Sequence, residues 1–155
     1  ASVGCAVLGT LLSTQNLETP LVHRDLSPAN IMFRTNTLGI EEQVQTLAFK
    51  PCLVDMGSSV PALGSETLTQ RADIWRYATP AYAAPEMLTR DIPDIAELRR
   101  SPSVDVYAIA SILYELYSGH TPFRAARHQA HEVSSYYLLK TQIEPEPLVA
   151  QKGDD

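Results

Sequence analysis

The stretch Leu21-Val22-His23-Arg24-Asp25-Leu26-Ser27-Pro28-Ala29-Asn30 sets two kinds of chemistry side by side. An aspartate on a rigid loop can accept the proton of an incoming hydroxyl. An asparagine five positions later can offer a neutral oxygen to a hard cation such as Mg2+. The plainer alternative is a polar turn, bent with the help of Pro28, in which Asp25 and Asn30 serve only as caps. The stretch alone leaves both open, and the residues downstream decide between them.

Pro51-Cys52-Leu53-Val54-Asp55-Met56-Gly57 is an apolar, strand-like run that ends in Asp-x-Gly. Ala78-Thr79-Pro80-Ala81-Tyr82-Ala83-Ala84-Pro85-Glu86 follows it, and Val104-Asp105-Val106-Tyr107 then opens an apolar helix that closes with Gly119-His120-Thr121-Pro122-Phe123. With these motifs in this order, the chain resembles the C-terminal, large lobe of a eukaryotic-type protein kinase, the serine/threonine branch being favoured. The resemblance implies a fold that is mainly α with a small β-hairpin, a C-lobe fragment of an α+β kinase domain occupying residues 1–155. Neither the Gly-rich phosphate loop of the small lobe nor its strand lysine and helix glutamate is found. The chain also opens on Ala1, inside an apolar stretch. The expectation is therefore a partial domain, inactive by itself, whose N-lobe is missing and whose C-terminal end is incomplete.

Roles follow from the resemblance residue by residue. Asp25 is the expected catalytic base toward a protein substrate's hydroxyl, and Asn30 and Asp55 are the expected ligands of Mg2+ bound with ATP. Met32 matches the apolar floor beneath adenine, so Met32, Asn30 and Asp55 form the expected nucleotide site. Arg24 corresponds to a receiver for a phosphorylated activation loop. Thr79 corresponds to the threonine that bonds the catalytic aspartate, and Asp105 to an aspartate that holds the catalytic loop in shape rather than taking part in chemistry.

Two positions depart from the pattern. Ser27 stands where serine/threonine kinases place a γ-phosphate-binding lysine, and a hydroxyl cannot replace that charge. Met56 stands for the Phe of Asp-Phe-Gly, as a flexible apolar group able to fill the same pocket. The segment from Gly57 to Ala84 reads as an activation loop, with Trp75 near the place of the usual phosphorylated residue. Thr67 or Thr69 is then the expected site of any switch, while a constitutively packed loop anchored by Trp75 is slightly favoured over a switch.

Composition narrows the classes further. A net charge of −6 disfavours a nucleic-acid surface, and 45% hydrophobic residues suffice for a core. Cys5 and Cys52 are too few for a zinc box or a disulfide framework and read as buried hydrophobes in a reducing, cytoplasmic setting. No membrane-spanning segment is visible. His128 and His131 lack a third metal ligand and read as solvated side chains.

Val3, Val7, Leu8, Leu11 and Leu12 recur at helical spacing and predict a buried helix that ends before Pro20. Ile31-Met32-Phe33 and Cys52-Leu53-Val54 predict a hairpin around an inserted polar segment, Arg34 to Gln45. Val106, Ile109, Ala110, Leu113, Leu116 and Tyr117 predict a helix from Asp105 to Ser118. The alternative function is a pseudokinase or truncated scaffold that binds protein partners. A hydrolase is remote, because no Gly-x-Ser-x-Gly pattern occurs.

Overall fold

Two helices carry the loops of interest. In the computed structural model, which describes residues 2–15, 18, 20–62, 78–127 and 133–148, they are α1 (Ser2–Gln15) and α4 (Ser103–Ser118). Val7 and Leu11 of α1 pack with Ala108, Ile109 and Ile112 of α4 around Leu26, which brings the loop from His23 to Asn30 against this core. The approach is close at Gly4, where an added Cβ would sit 2.5 Å from Leu113 Cδ2. Helix α4 starts after Pro102 with Asp105 in its first turn. It ends at Gly119, whose positive φ of 76° lets its N–H reach Glu115 O at 2.8 Å.

The predicted helices are present, but their apolar patterns overstate their buried faces. Leu8 is 39% exposed, and Val106, Leu113, Leu116 and Tyr117 are exposed on α4. The residues α4 buries are Val104, Asp105, Ala108, Ile109, Ser111, Ile112 and Ser118. A helix apolar over most of its circumference has only one stripe to turn toward a single layer of neighbours.

Short antiparallel strands frame the loops. β1 (Leu21–Val22) pairs with β4 (Val60–Pro61), with Val22 opposite Val60. β2 (Ile31–Phe33) pairs with β3 (Pro51–Leu53), with Ile31 opposite Leu53 and Met32 opposite Cys52. This is the predicted hairpin, ending one residue earlier on its second strand. The cysteines depart from expectation: Cys5 is exposed and Cys52 only half-buried. Cys5 shares the exposed face of α1 with Leu8 and Gly9, and the two-stranded β2–β3 ribbon has too few neighbours to enclose Cys52.

The inserted segment between β2 and β3 is ordered and contains α2 (Ile40–Thr46), an element its polar sequence did not announce. Gln43 explains the order. It is fully buried, its Nε2 donates to Arg34 O at 2.7 Å and Leu38 O at 2.8 Å, and its Oε1 accepts from Lys50 N at 3.0 Å. One side chain thus closes both ends of the insertion, and Phe33 and Phe49 add an edge-to-face contact at 5.9 Å. Gln43→Ala is expected to cost about 2 kcal/mol by removing the side-chain partner of three part-buried backbone groups. Faster hydrogen exchange at the Lys50 amide, with α4 unchanged, is the local signature to measure.

The remaining described helices are α3 (Ile95–Leu98), α5 (Arg124–Arg127) and α6 (Val133–Gln142). Tyr136 and Tyr137 of α6 pack on a second core of Val22, Val60, Ala78, Ala83, Ala84, Met87, Leu88 and Val104. Buried Arg99, after α3, donates from Nε to Glu86 O at 2.9 Å and also to Thr89 O. Among the described residues no helix is long and apolar enough to cross a membrane.

Candidate active site

The loop after β1 is shaped by Asp105. Its Oδ2 accepts from His23 N at 2.7 Å and its Oδ1 from Arg24 N at 2.8 Å, with the carboxyl 1% exposed. Both donors are backbone, so one side chain on a rigid helix fixes the path of the loop. That path is unfavourable on its own, since Arg24 has φ 69° without being glycine. Arg24 Nε donates to Ser58 O at 2.6 Å, a further constraint that holds the turn. Burial raises the Asp105 pKa above its ordinary range, opposed by the two backbone donors. Burial, with Arg99 next in effect, lowers Arg24 to about 10.

Two more bonds tie this loop to the Asp55 turn. His23 Nε2 lies 2.9 Å from Val54 O, and Val54 N donates to Asn30 O at 3.0 Å. A carbonyl only accepts, so Nε2 carries the proton, and Nδ1 is left to accept from Asp25 N at 3.4 Å. Asp55, next to Val54, also adopts a left-handed conformation at φ 59° and leads into the short turn Met56–Ser58. Non-glycine residues of positive φ thus lie in both loops at the point where they meet.

Asp25 is half-buried and oriented. Its Oδ1 accepts from both Thr79 N and Thr79 Oγ1, each at 2.8 Å. Its Oδ2 has only a long contact, 3.4 Å, from Asn30 Nδ2. Asn30 is oriented in turn, because Nδ2 donates to Asp25 O at 2.8 Å and so directs its amide oxygen elsewhere. Asp25 therefore keeps one oxygen for a new partner, and Asn30 keeps its acceptor.

The sequence-predicted residues Asp25, Asn30 and Asp55 are brought together by these bonds. Met32, 54% exposed on β2, lies two residues past Asn30 and presents an apolar surface. Ser27 is buried, with no side-chain cap bond to the Pro28–Asn30 turn that follows it. Met56 does not fill a pocket. It is 41% exposed, and its sulfur accepts from Ser59 Oγ at 3.7 Å. Residues the sequence reading passed over also belong here: Ser58 as partner of Arg24, and Glu115, whose carboxylate accepts from Tyr82 Oη at 2.6 Å. Ser58 acts through its backbone, which no side-chain pattern reports. Glu115, a charge within an apolar helix, was a signal available to find it. Ser65, Thr67, Thr69, Trp75, His128 and His131 lie outside the described residues.

For a metal, the donor chemistry is specific. Among the described residues no three His, Cys, Asp or Glu side chains form a cage. A carboxylate from Asp55 and an amide oxygen from Asn30 suit a hard cation that takes its other ligands from water and phosphate, as Mg2+ does. The residues fit Mg2+ bound with a nucleotide, and do not fit a resident zinc ion.

The family described as protein kinase domain matches residues 15–151. The chain belongs to the protein kinase family. Among curated proteins, this kinase domain is 34% identical over 131 residues to the serine/threonine-protein kinase PkaA of Streptomyces coelicolor, covering 83% of the chain and 20% of that protein. It is 31% identical over 103 residues to the serine/threonine-protein kinase PknB of Mycolicibacterium smegmatis, covering 66% of the chain and 13% of that protein. A rhodopsin kinase of Danio rerio is 27% identical over 135 residues, covering 87% of the chain and 20% of that protein. The kinase domain described here thus spans a fifth or less of the length of these relatives.

Proposed function

We propose that the chain is the large, C-terminal lobe portion of a serine/threonine protein kinase, occupying residues 1–155, which transfers the γ-phosphate of ATP to Ser or Thr hydroxyls of protein substrates. The observation that carries this reading is the Asp25 carboxylate, with Oδ1 held twice by Thr79 and Oδ2 left open. Mg2+ with ATP, when bound, supplies the phosphoryl group and neutralises the charge that develops on it. Asp25 orients the substrate hydroxyl through Oδ2 and accepts its proton as the oxygen attacks. Asn30 and Asp55 hold the cation, and Met32 lies under the base of the nucleotide. Thr79 supports the serine/threonine branch, because its hydroxyl engages the base itself.

The scaffold alternative has one observation in its favour: Ser27 offers no cation to the γ-phosphate. It leaves unexplained why Asp25 and Asn30 are each oriented with an oxygen left open. The deciding experiment incubates the full-length protein with γ-labelled ATP, Mg2+ and a protein substrate, followed by phosphoamino acid analysis. Labelled phosphoserine or phosphothreonine is the expected product. Nucleotide binding without transfer supports the scaffold instead.

A further inference from the structure

The segment that follows Thr79 is a tight turn, since Tyr82 N and Ala83 N both donate to Thr79 O at 3.0 Å. Thr79 itself holds Asp25, so a polypeptide whose hydroxyl reaches Asp25 Oδ2 has this turn as its neighbouring surface. The turn is pinned to α4 through Tyr82 and Glu115. A further attachment comes from α6. Lys140 Nζ donates to Ala83 O at 2.5 Å and to Ala81 O at 3.3 Å, and sits 5.2 Å from the centre of the Tyr107 ring.

We propose that Lys140 is a positioning residue for the protein substrate: by gripping the carbonyls of Ala81 and Ala83 from α6, it fixes the ledge beside Asp25 on which the acceptor polypeptide rests. This rests on the kinase reading above and adds to it a residue that α6 contributes to substrate recognition.

The geometry is unusual for a residue with only a packing role. Among the described residues Lys140 forms no ion pair, so its ammonium is removed from water against two carbonyls and a ring face alone. Burial lowers its pKa from 10.5 to about 7, a sign that this site resists the charge. Its ring neighbour adds no countercharge, since burial, with Glu86 nearby, pushes Tyr107 up to about 12 and keeps it neutral. A methionine of similar reach would fill the space without that cost. What methionine cannot do is donate to the carbonyls of both Ala81 and Ala83 and so hold them in one orientation.

The test compares wild type, Lys140→Met and Lys140→Arg in the full-length protein. Lys140→Met is expected to raise KM for a protein or peptide substrate about tenfold, as loss of two hydrogen bonds that hold its resting surface does. KM for ATP and kcat are expected to stay within about twofold, and the melting temperature to be unchanged or higher. Lys140→Arg, which keeps charge and donors, is expected to restore most of the substrate affinity. Amides of residues 79–86 are expected to exchange faster in Lys140→Met, while those of α4 do not. An unchanged peptide KM overturns the proposal, as does a parallel loss of kcat, both KM values and melting temperature. If wild type transfers no phosphate, the kinase reading itself fails. The exchange arm then judges the anchor alone: faster exchange at 79–86 supports it, and unchanged exchange overturns it.

Discussion

Asp105→Asn is expected to lower the melting temperature of the kinase domain by about 10 °C, corresponding to about 3 kcal/mol. The carboxylate accepts from two backbone donors, His23 N and Arg24 N, through different oxygens. An amide keeps one acceptor and turns its NH2 toward the other N–H, so one buried donor loses its partner and meets a second donor. Arg24 then has less to hold it at φ 69°, and the loop can relax toward an ordinary conformation. Relief of the buried charge offsets part of this loss. The pH dependence has a definite sign. Because burial raises the Asp105 pKa above 3.8, its contribution to stability is fully present below the unfolded value and is lost as pH rises through the raised folded value. The Asn variant should lack that slope. A thermal unfolding series from acid to neutral pH measures both effects, and a variant as stable as wild type with the same slope contradicts this role for Asp105.

Asp25→Asn is expected to reduce phosphoryl transfer about a thousandfold in the full-length protein, within the range that general-base removal produces. The substitution preserves shape: an Asn carbonyl can still accept from Thr79 N and Thr79 Oγ1, the partners that Oδ1 now holds at 2.8 Å. What it removes is the basicity of Oδ2, which has only a 3.4 Å contact to Asn30 and is the oxygen open to a substrate hydroxyl. Melting temperature should therefore change little while the single-turnover rate collapses. A rate within tenfold of wild type would mean that proton transfer to Asp25 is not part of the reaction.

Much of the site was legible because its parts are local in sequence. Asp25 and Asn30 share one short loop, and Asp55 follows an apolar run whose strand pairing returns it to Asn30, so their proximity could be expected from the motifs while their roles came from the resemblance. Thr79 and Asp105 were legible only through the resemblance, since a 54-residue separation between Thr79 and Asp25 leaves no local pattern to read. Helix α2 was missed because its stability comes from Gln43 bonding backbone at both ends of the insertion, a tertiary effect that polar composition conceals. No sequence pattern singles out Lys140. Its environment is made by Ala81, Ala83 and Tyr107, which are distant in sequence and carry no charge. The exposed faces of α1 and α4 show the reverse error, where apolar spacing fixes a helix but not how much of its circumference is covered.

The division of labour between Asp55 and Asp25 is the core of the functional account, and nucleotide binding as a function of Mg2+ tests it most directly. Calorimetric or fluorescence titration of the full-length protein with an ATP analogue, with and without Mg2+, should give metal-dependent affinity in wild type. Asp25→Asn should retain that affinity within about twofold, because the proposed reaction assigns Asp25 to the acceptor hydroxyl and not to the cation. Asp55→Asn should lose it by about a hundredfold, because a neutral amide is a poor substitute for a carboxylate on a hard cation. Equal loss of Mg2+-dependent affinity in both variants, or in neither, would contradict the account.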